Sequence, residues 1–368
     1  MSLFGKATAS RAQLLTRIST TGLCPRKAGV LEQIRPLHAT APQWNRKPRP
    51  NLFVQPSNAP PSRKDSVTRL MGKGREAEAL ELCRRAPVSA RHPVVWANLI
   101  KSYKDLGKTN AAWSAFNEMK KRGLDPTPAT YTMILDALSA TSTTKAAERV
   151  RSVHQGLMSK GCMSTIHANS LLKAYSLLRD AEAFSRFWDR LCEPLRTSSN
   201  PSIVPEELPL PDATSFTYAI TYFANEAIRQ KDKAGLTAVW DTWALLSSLS
   251  TSHDATRWMD SGTVFSMLRA CNVSSILDPA EAQSHALAVE KACFPDDKDQ
   301  APILDIRPDI RVVWQFMMNY RQKGDVTGAF RCLKRIRAHW PYLSLDWPFW
   351  AGMSGMVREM LPRREGGS

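Results

Sequence analysis

A chain of 368 residues with 50 lysines and arginines against 34 acids carries a formal charge of +16 at pH 7, an excess that favours polyanionic or acidic partners and says nothing about fold. Nowhere does the sequence run to the ~18 consecutive apolar residues of a membrane span. The seven cysteines (Cys24, Cys83, Cys162, Cys192, Cys271, Cys293, Cys332) are scattered and include no CxxC pair, so neither a disulfide framework nor a cysteine zinc site is spelled out, and reduced, mostly buried thiols are expected.

The charge is uneven from the start. Residues 1–50 hold nine basic side chains and one acid, Glu32, while the remainder holds 41 basic and 33 acidic ones, so each part contributes +8. Arg- and Ser/Thr-rich sequence with almost no acid and interspersed Leu and Ile is the composition of a mitochondrial transit peptide. It is expected here over residues 1–42, with cleavage between Arg35 and Pro42; a basic arm that binds nucleic acid directly is the alternative. Residues 43–64 are dense in Pro, Asn and basic side chains, a linker composition. A folded body is expected over 65–361, followed by a tail at 362–368.

Within that body apolar residues recur at three- and four-residue spacing, in segments of helical length that come in pairs. GREAEALEL (Gly74 to Leu82) reads as the second helix of a partial unit. Pro93 to Thr127, PVVWANLIKSYKDLGKTNAAWSAFNEMKKRGLDPT, is a complete one: a helix, a turn at Gly107, a second helix, and a stop at Gly123 and Pro126, in 35 residues. Pro128 to about Ser164 repeats the opening as ATYTMILDAL and the close as LMSKG. Asn169, Leu171, Leu172 and Tyr175 open the next unit, whose second helix carries Phe184, Phe187, Trp188 and Leu191. Another follows Pro211 and Asp212, with Phe216, Ile220 and Phe223 and then Leu236, Val239, Trp240 and Trp243. Residues 254–294 contain two helices of degenerate pattern, and VVWQFMMNYRQKGDVTGAFRCLKRI after Pro308 and Asp309 matches again at Gly324, Ala329 and Ile336. Loops interrupt the array at about 193–211 and 295–308. Self-similarity at a fixed period is the mark of stacked repeats.

Trp96, Leu99, Ile100, Ala112, Phe116, Glu118, Met119, Lys120, Gly123 and Pro126 resemble the pentatricopeptide repeat in residue type and spacing together, and about five units over nearly all the chain beyond Asp65 share the likeness. The resemblance implies an all-α, right-handed superhelical solenoid of helix-turn-helix repeats with an extended concave surface. It further implies single-stranded RNA as partner, one base per repeat, read by the fifth and last residues of each unit. Carried over, those positions are Ala97 with Thr127, Thr132 with Ser164, Asn169 with Asp212, and Thr217 with no assigned end. Only Asn169 and Asp212 form a typical polar pair, which in the family favours uracil. Ala97 offers no hydrogen bond and Trp314 takes the selector place in the last unit, so binding through shape and backbone is expected over base-by-base reading.

Lys101, Lys104, Lys108, Lys120, Lys121 and Arg122 surround the best unit, and Arg321, Lys323, Arg331, Lys334, Arg335 and Arg337 the last; such groups neutralise phosphate or simply make a solvated helix face. Lys101 and Lys104 join the candidate site. Trp113, Trp188, Trp240 and Trp243 fall at packing positions of second helices, whereas Trp340, Trp347 and Trp350 suit a cap. The seven histidines show no metal-ligand spacing, and the HxE deaminase pattern, GxxxxGK[ST] and GxSxG are absent. No enzyme, metal or cofactor is expected. The resemblance and presequence together point to a factor of the mitochondrial matrix acting in transcript stability, processing or translation. The alternative is a structural or assembly protein of the mitochondrial ribosome or another mitochondrial complex.

Overall fold

The computed structural model describes residues 63–85, 93–197, 208–249, 258–294 and 309–360. The predicted transit peptide, the linker up to residue 62, the 295–308 loop and the 362–368 tail lie outside the described residues.

All regular structure among them is helical. The helices are α1 (Arg63–Gly72), α2 (Glu76–Arg84), α3 (Pro93–Asp105), α4 (Thr109–Lys121), α5 (Pro128–Ser139), α6 (Thr144–Ser159), α7 (Thr165–Leu178), α8 (Ala181–Thr197), α9 (Ala213–Gln230), α10 (Thr237–Leu249), α11 (Ser261–Ser274), α12 (Pro279–Cys293), α13 (Ile310–Lys323), α14 (Val326–His339) and α15 (Trp347–Met360), with a 3-10 turn at Lys233–Leu236 before α10. Among the described residues they form seven hairpins and a single last helix. Each odd-numbered helix packs on the next odd-numbered helix, from α1 to α15, while each even-numbered helix packs on the odd one before it. First helices therefore make one layer and second helices the other.

The hairpin turns follow from local chemistry. Gly74, Gly107 and Gly324 adopt φ near +70° between first and second helices, where a Cβ would be strained. Arg179 and Lys231 hold the equivalent left-handed positions after α7 and α9, at a cost of roughly 1 kcal/mol each that glycine would not incur. Second helices bury an apolar stripe: α8 buries Phe184, Phe187, Trp188, Leu191, Cys192 and Leu195. That stripe outweighs the missing N–H of Pro194, so α8 runs on to Thr197 and the loop expected from Glu193 begins later.

Trp188 meets Phe216 edge-on at 5.2 Å and Phe184 stacks on Tyr222 at 3.8 Å, joining the α7–α8 hairpin to α9. Trp188, Trp240 and Trp243 are buried and Trp113 is partly so, which bears out their expected packing role. Trp340 is buried beside Phe294 at 4.4 Å. Of the six described cysteines only Cys162 is exposed; burial pushes the thiols of Cys83, Cys192 and Cys271 up to about 12, so they stay protonated and inert.

One buried charge joins the last units. Glu290 of α12, 1% exposed, accepts hydrogen bonds from the Tyr320 hydroxyl of α13 at 2.8 and 3.0 Å and pairs with Arg335 of α14. Removing one partner of such a pair strands the other in low dielectric. Arg335→Ala is accordingly expected to destabilise the protein by about 3–5 kcal/mol. Trp188→Ala should cost a similar amount, about 3–5 kcal/mol, through the cavity it leaves. Thermal melts followed by circular dichroism check both, and a loss under about 1 kcal/mol would contradict the packing described.

Candidate nucleic-acid interface

The free face of the first-helix layer is built on a recurring cap. Thr127, Ser164, Asp212, Asp260 and Asp309 are the N-cap residues of α5, α7, α9, α11 and α13. A helix start leaves N–H groups to be satisfied, and a side-chain oxygen at the cap does so. Thr127 Oγ1 accepts from Thr130 N–H at 3.2 Å, Asp212 from Ser215 N–H at 2.9 Å, and Asp260 from Thr263 N–H at 2.8 Å. At Ser164 the backbone N–H donates to His167 Nδ1 at 3.2 Å, so the imidazole carries its proton on Nε2, 3.3 Å from the Pro128 carbonyl. The last-residue candidates Thr127, Ser164 and Asp212 are thus all capping groups.

The caps set a common register for the first helices. Five residues beyond them stand Thr132, Asn169, Thr217, Phe265 and Trp314, with Ala97 at the matching place on α3. Asn169 and Asp212 are brought together across the intervening hairpin: Asn169 Nδ2 donates to Asp212 Oδ1 at 3.1 Å, and Ser215 Oγ donates to Asn169 Oδ1 at 2.5 Å. Thr132 and Thr217 are partly exposed, and Thr132 Oγ1 donates to the Ala129 carbonyl at 2.9 Å. Ala97 is buried at 5% exposure. In register, Asp260 caps the helix that follows the unit containing Thr217, and Phe265 stands five residues beyond that cap. Both escaped sequence reading because the α11–α12 hairpin lacks the repeat's usual residues; the Asp–x–x–Thr capping box at Asp260 was the available signal. Ile166 of α7, two residues past its cap, stands 66% exposed.

The charges on this face differ along the array. Lys101 is exposed. Lys104 lies 3.4 Å from Asp136 Oδ2, and Lys173 lies 2.8 Å from Asp136 Oδ1, so one carboxylate on α5 ties α3 to α7. Further along, Arg311 stands over the Phe265 ring at 5.6 Å while pairing with Asp309. Trp314 packs edge-on against Phe349 at 5.9 Å and against Gly352, where a Cβ would lie 2.7 Å from the indole. Among the described residues no group of three His, Cys, Asp or Glu could hold a metal, and no helix is long and apolar enough to cross a membrane.

Tandem helical hairpins stacked through their first helices, with a capped polar row along that layer, define an α-helical repeat protein. Residues 92–140 match the PPR repeat family. A pentatricopeptide repeat-containing protein of Arabidopsis thaliana is 29% identical over 101 residues, 27% of this chain and 16% of that protein. Among solved structures, the pentatricopeptide repeat protein PPR10 from maize covers 82% of this chain and 43% of its own at 13% identity and a TM-score of 0.42. PPR10 in complex with an 18-nt psaJ RNA element covers 80% and 58% at 13% identity and a TM-score of 0.25. The chain therefore spans less than two thirds of the length of each. The chain is a protein of tandem helical hairpins, and the segment that matches the PPR repeat family spans α3, α4 and α5.

On the other layer a cavity of about 420 Å³ opens between α6 and α8, lined among others by Arg151, His154, Tyr175, Phe187 and Arg190. His154 Nδ1 lies 2.8 Å from the Tyr175 hydroxyl, and its ring meets Phe187 edge-on at 4.6 Å. Burial, aided by the charge of Arg190, pushes this imidazole down to about 4. Between about pH 6.5 and 4 the unfolded chain then binds a proton that the folded one refuses, so stability is full above that window and falls as pH drops through it, by about 3 kcal/mol at the end. Burial lowers His285 too and acts in the same direction. His154→Gln should lose the larger part of this slope in urea unfolding between about pH 7 and 4; an unchanged slope would contradict the assignment.

Proposed function

We propose that this protein binds single-stranded RNA along the first-helix layer, in the mitochondrial matrix, as a factor in transcript stability, processing or translation. The observation that carries the reading is the capped row itself, where Thr132, Asn169 and Thr217 recur in one register beside Lys101 and Lys173. The PPR repeat match at residues 92–140 supports it. The basic segment at residues 1–42 supports the mitochondrial address. The polar groups of the row are modest and partly satisfied within the protein, so backbone contact contributes more than base selection, and affinity falls with salt.

A second reading is favoured by the apolar places in the row. Ala97 and Phe265 present no hydrogen-bonding group able to select a base, and Trp314 offers a single indole donor on a ring packed against Phe349; a structural or assembly protein of the mitochondrial ribosome needs none. Co-migration with ribosomal particles at high salt supports this reading, and dispersed free protein supports the first.

Replacing Lys101, Lys104, Thr132 and Asn169 together by Ala removes two positive charges and two polar groups from one face without touching the aromatic core. RNA affinity is expected to fall by about tenfold or more, with a drop of a few degrees in melting temperature from the lost Lys104–Asp136 contact and the Asn169 hydrogen bonds, each contributing on the order of 1 kcal/mol. Fluorescence anisotropy with labelled single-stranded RNA measures the first and differential scanning calorimetry the second. Full affinity in the quadruple variant would move the functional face elsewhere.

A further inference from the structure

Nine residues beyond their caps, the first helices carry Asp136 on α5, Lys173 on α7 and Arg269 on α11, with Lys101 at the matching place on α3. Two of these are already engaged, since Asp136 holds Lys173 as well as Lys104. Arg269 is different. It is half-buried, and among the described residues it makes no hydrogen bond or ion pair. The nearest acids by register are committed elsewhere: Asp260 caps α11, Asp309 holds Arg311, and Glu290 is taken by Tyr320 and Arg335. Burial alone acts on the guanidinium, lowering its pKa, with no carboxylate among the described residues to offset it.

A half-desolvated guanidinium without an anion is costly, and arginine cannot escape the cost by losing its proton. Such a group lowers the stability of the free protein and recovers it when an anion arrives. Its planar fork suits the paired oxygens of a phosphate. One turn earlier on the same helix stands Phe265, with Arg311, itself paired with Asp309, at its face, so an aromatic ring stands one helical turn from Arg269. Single strands are held by this combination of a positive groove and aromatic rings.

We propose that Arg269 seats a backbone phosphate of single-stranded RNA, making the α11 segment the electrostatic anchor of the array, where the internally paired Lys104 and Lys173 are not. This rests on the RNA-binding reading above.

The full chain is titrated with a fluorophore-labelled randomised single-stranded RNA across a series of KCl concentrations. Arg269→Gln is expected to weaken binding several-fold and to make the slope of log affinity against log salt shallower by about 0.7, the share of one phosphate on a single strand. Arg269→Lys should keep most of that slope. Arg269→Met should raise the melting temperature of the RNA-free protein while weakening binding, because it removes an uncompensated charge from a half-buried place. A lower melting temperature in both Arg269→Met and Arg269→Gln would make the residue structural and overturn the proposal. Unchanged affinity and slope in Arg269→Gln, with Lys101→Gln weakened, would overturn it and leave the RNA reading standing. No RNA binding by the unaltered chain would overturn both, and stabilisation of that chain by polyglutamate but not by RNA would assign Arg269 to an acidic protein instead.

Discussion

No hairpin in this protein can bury its own apolar surface. Each first helix carries one set of apolar residues toward its partner and another toward the next first helix, as Leu99 and Ile100 on α3, Ile134 and Leu135 on α5, and Leu171 and Leu172 on α7 illustrate by being wholly buried. The second set is satisfied only when another unit stacks on it. Every other feature depends on that stacking. It sets neighbouring first helices side by side, lines up their caps, and turns local side chains into a continuous row. It also explains why buried aromatic contacts run between units, from Trp188 to Phe216 and from Phe116 to Tyr131.

The row therefore has a double life. Thr127, Ser164 and Asp212 end each unit and cap the next helix, so their side-chain oxygens serve the helix start before they meet any ligand. Asn169 and Asp212 satisfy one another together with Ser215. A base arriving there has to compete with hydrogen bonds already formed, and the net gain of each exchange is small. Charge follows the same logic: Asp136 quenches two lysines in the N-terminal units, whereas Arg269 stands without an acid among the described residues.

Much of this was legible in the sequence. Gly107, Gly123 and Gly324 marked turns and stops, Trp96, Phe116 and Trp188 marked the packing face, and together they placed most hairpin boundaries closely, because short-range backbone rules and apolar spacing act locally. Even the distant pair Asn169 and Asp212 could be proposed from the resemblance to the pentatricopeptide repeat, which singles out the fifth and last residues of a unit. What stayed hidden depended on neighbours in space. The α11–α12 hairpin lacks the repeat's diagnostic residues, so Phe265 and Arg269 carried no label. Helix α15 was seen only as a tryptophan cluster, and the persistence of α8 through Pro194 depended on a buried stripe outweighing a local breaker. The tie between Lys104, Asp136 and Lys173 spans three helices and is invisible in any one of them.

The two left-handed residues Arg179 and Lys231 bear on how the array yields. The turns at Gly74, Gly107 and Gly324 use glycine, which enters that conformation freely, but the turns after α7 and α9 hold a side chain in it. A repeat array does not melt as a block, since each unit is held by its own turn and by its neighbours. The hairpins on either side of the connection between α8 and α9 thus have the least favourable turns and flank a long interruption of the pattern. Under tension each of these two hairpins opens with less resistance from its own turn than a glycine-turned one, while the Trp188–Phe216 and Phe184–Tyr222 contacts still hold the two units to each other.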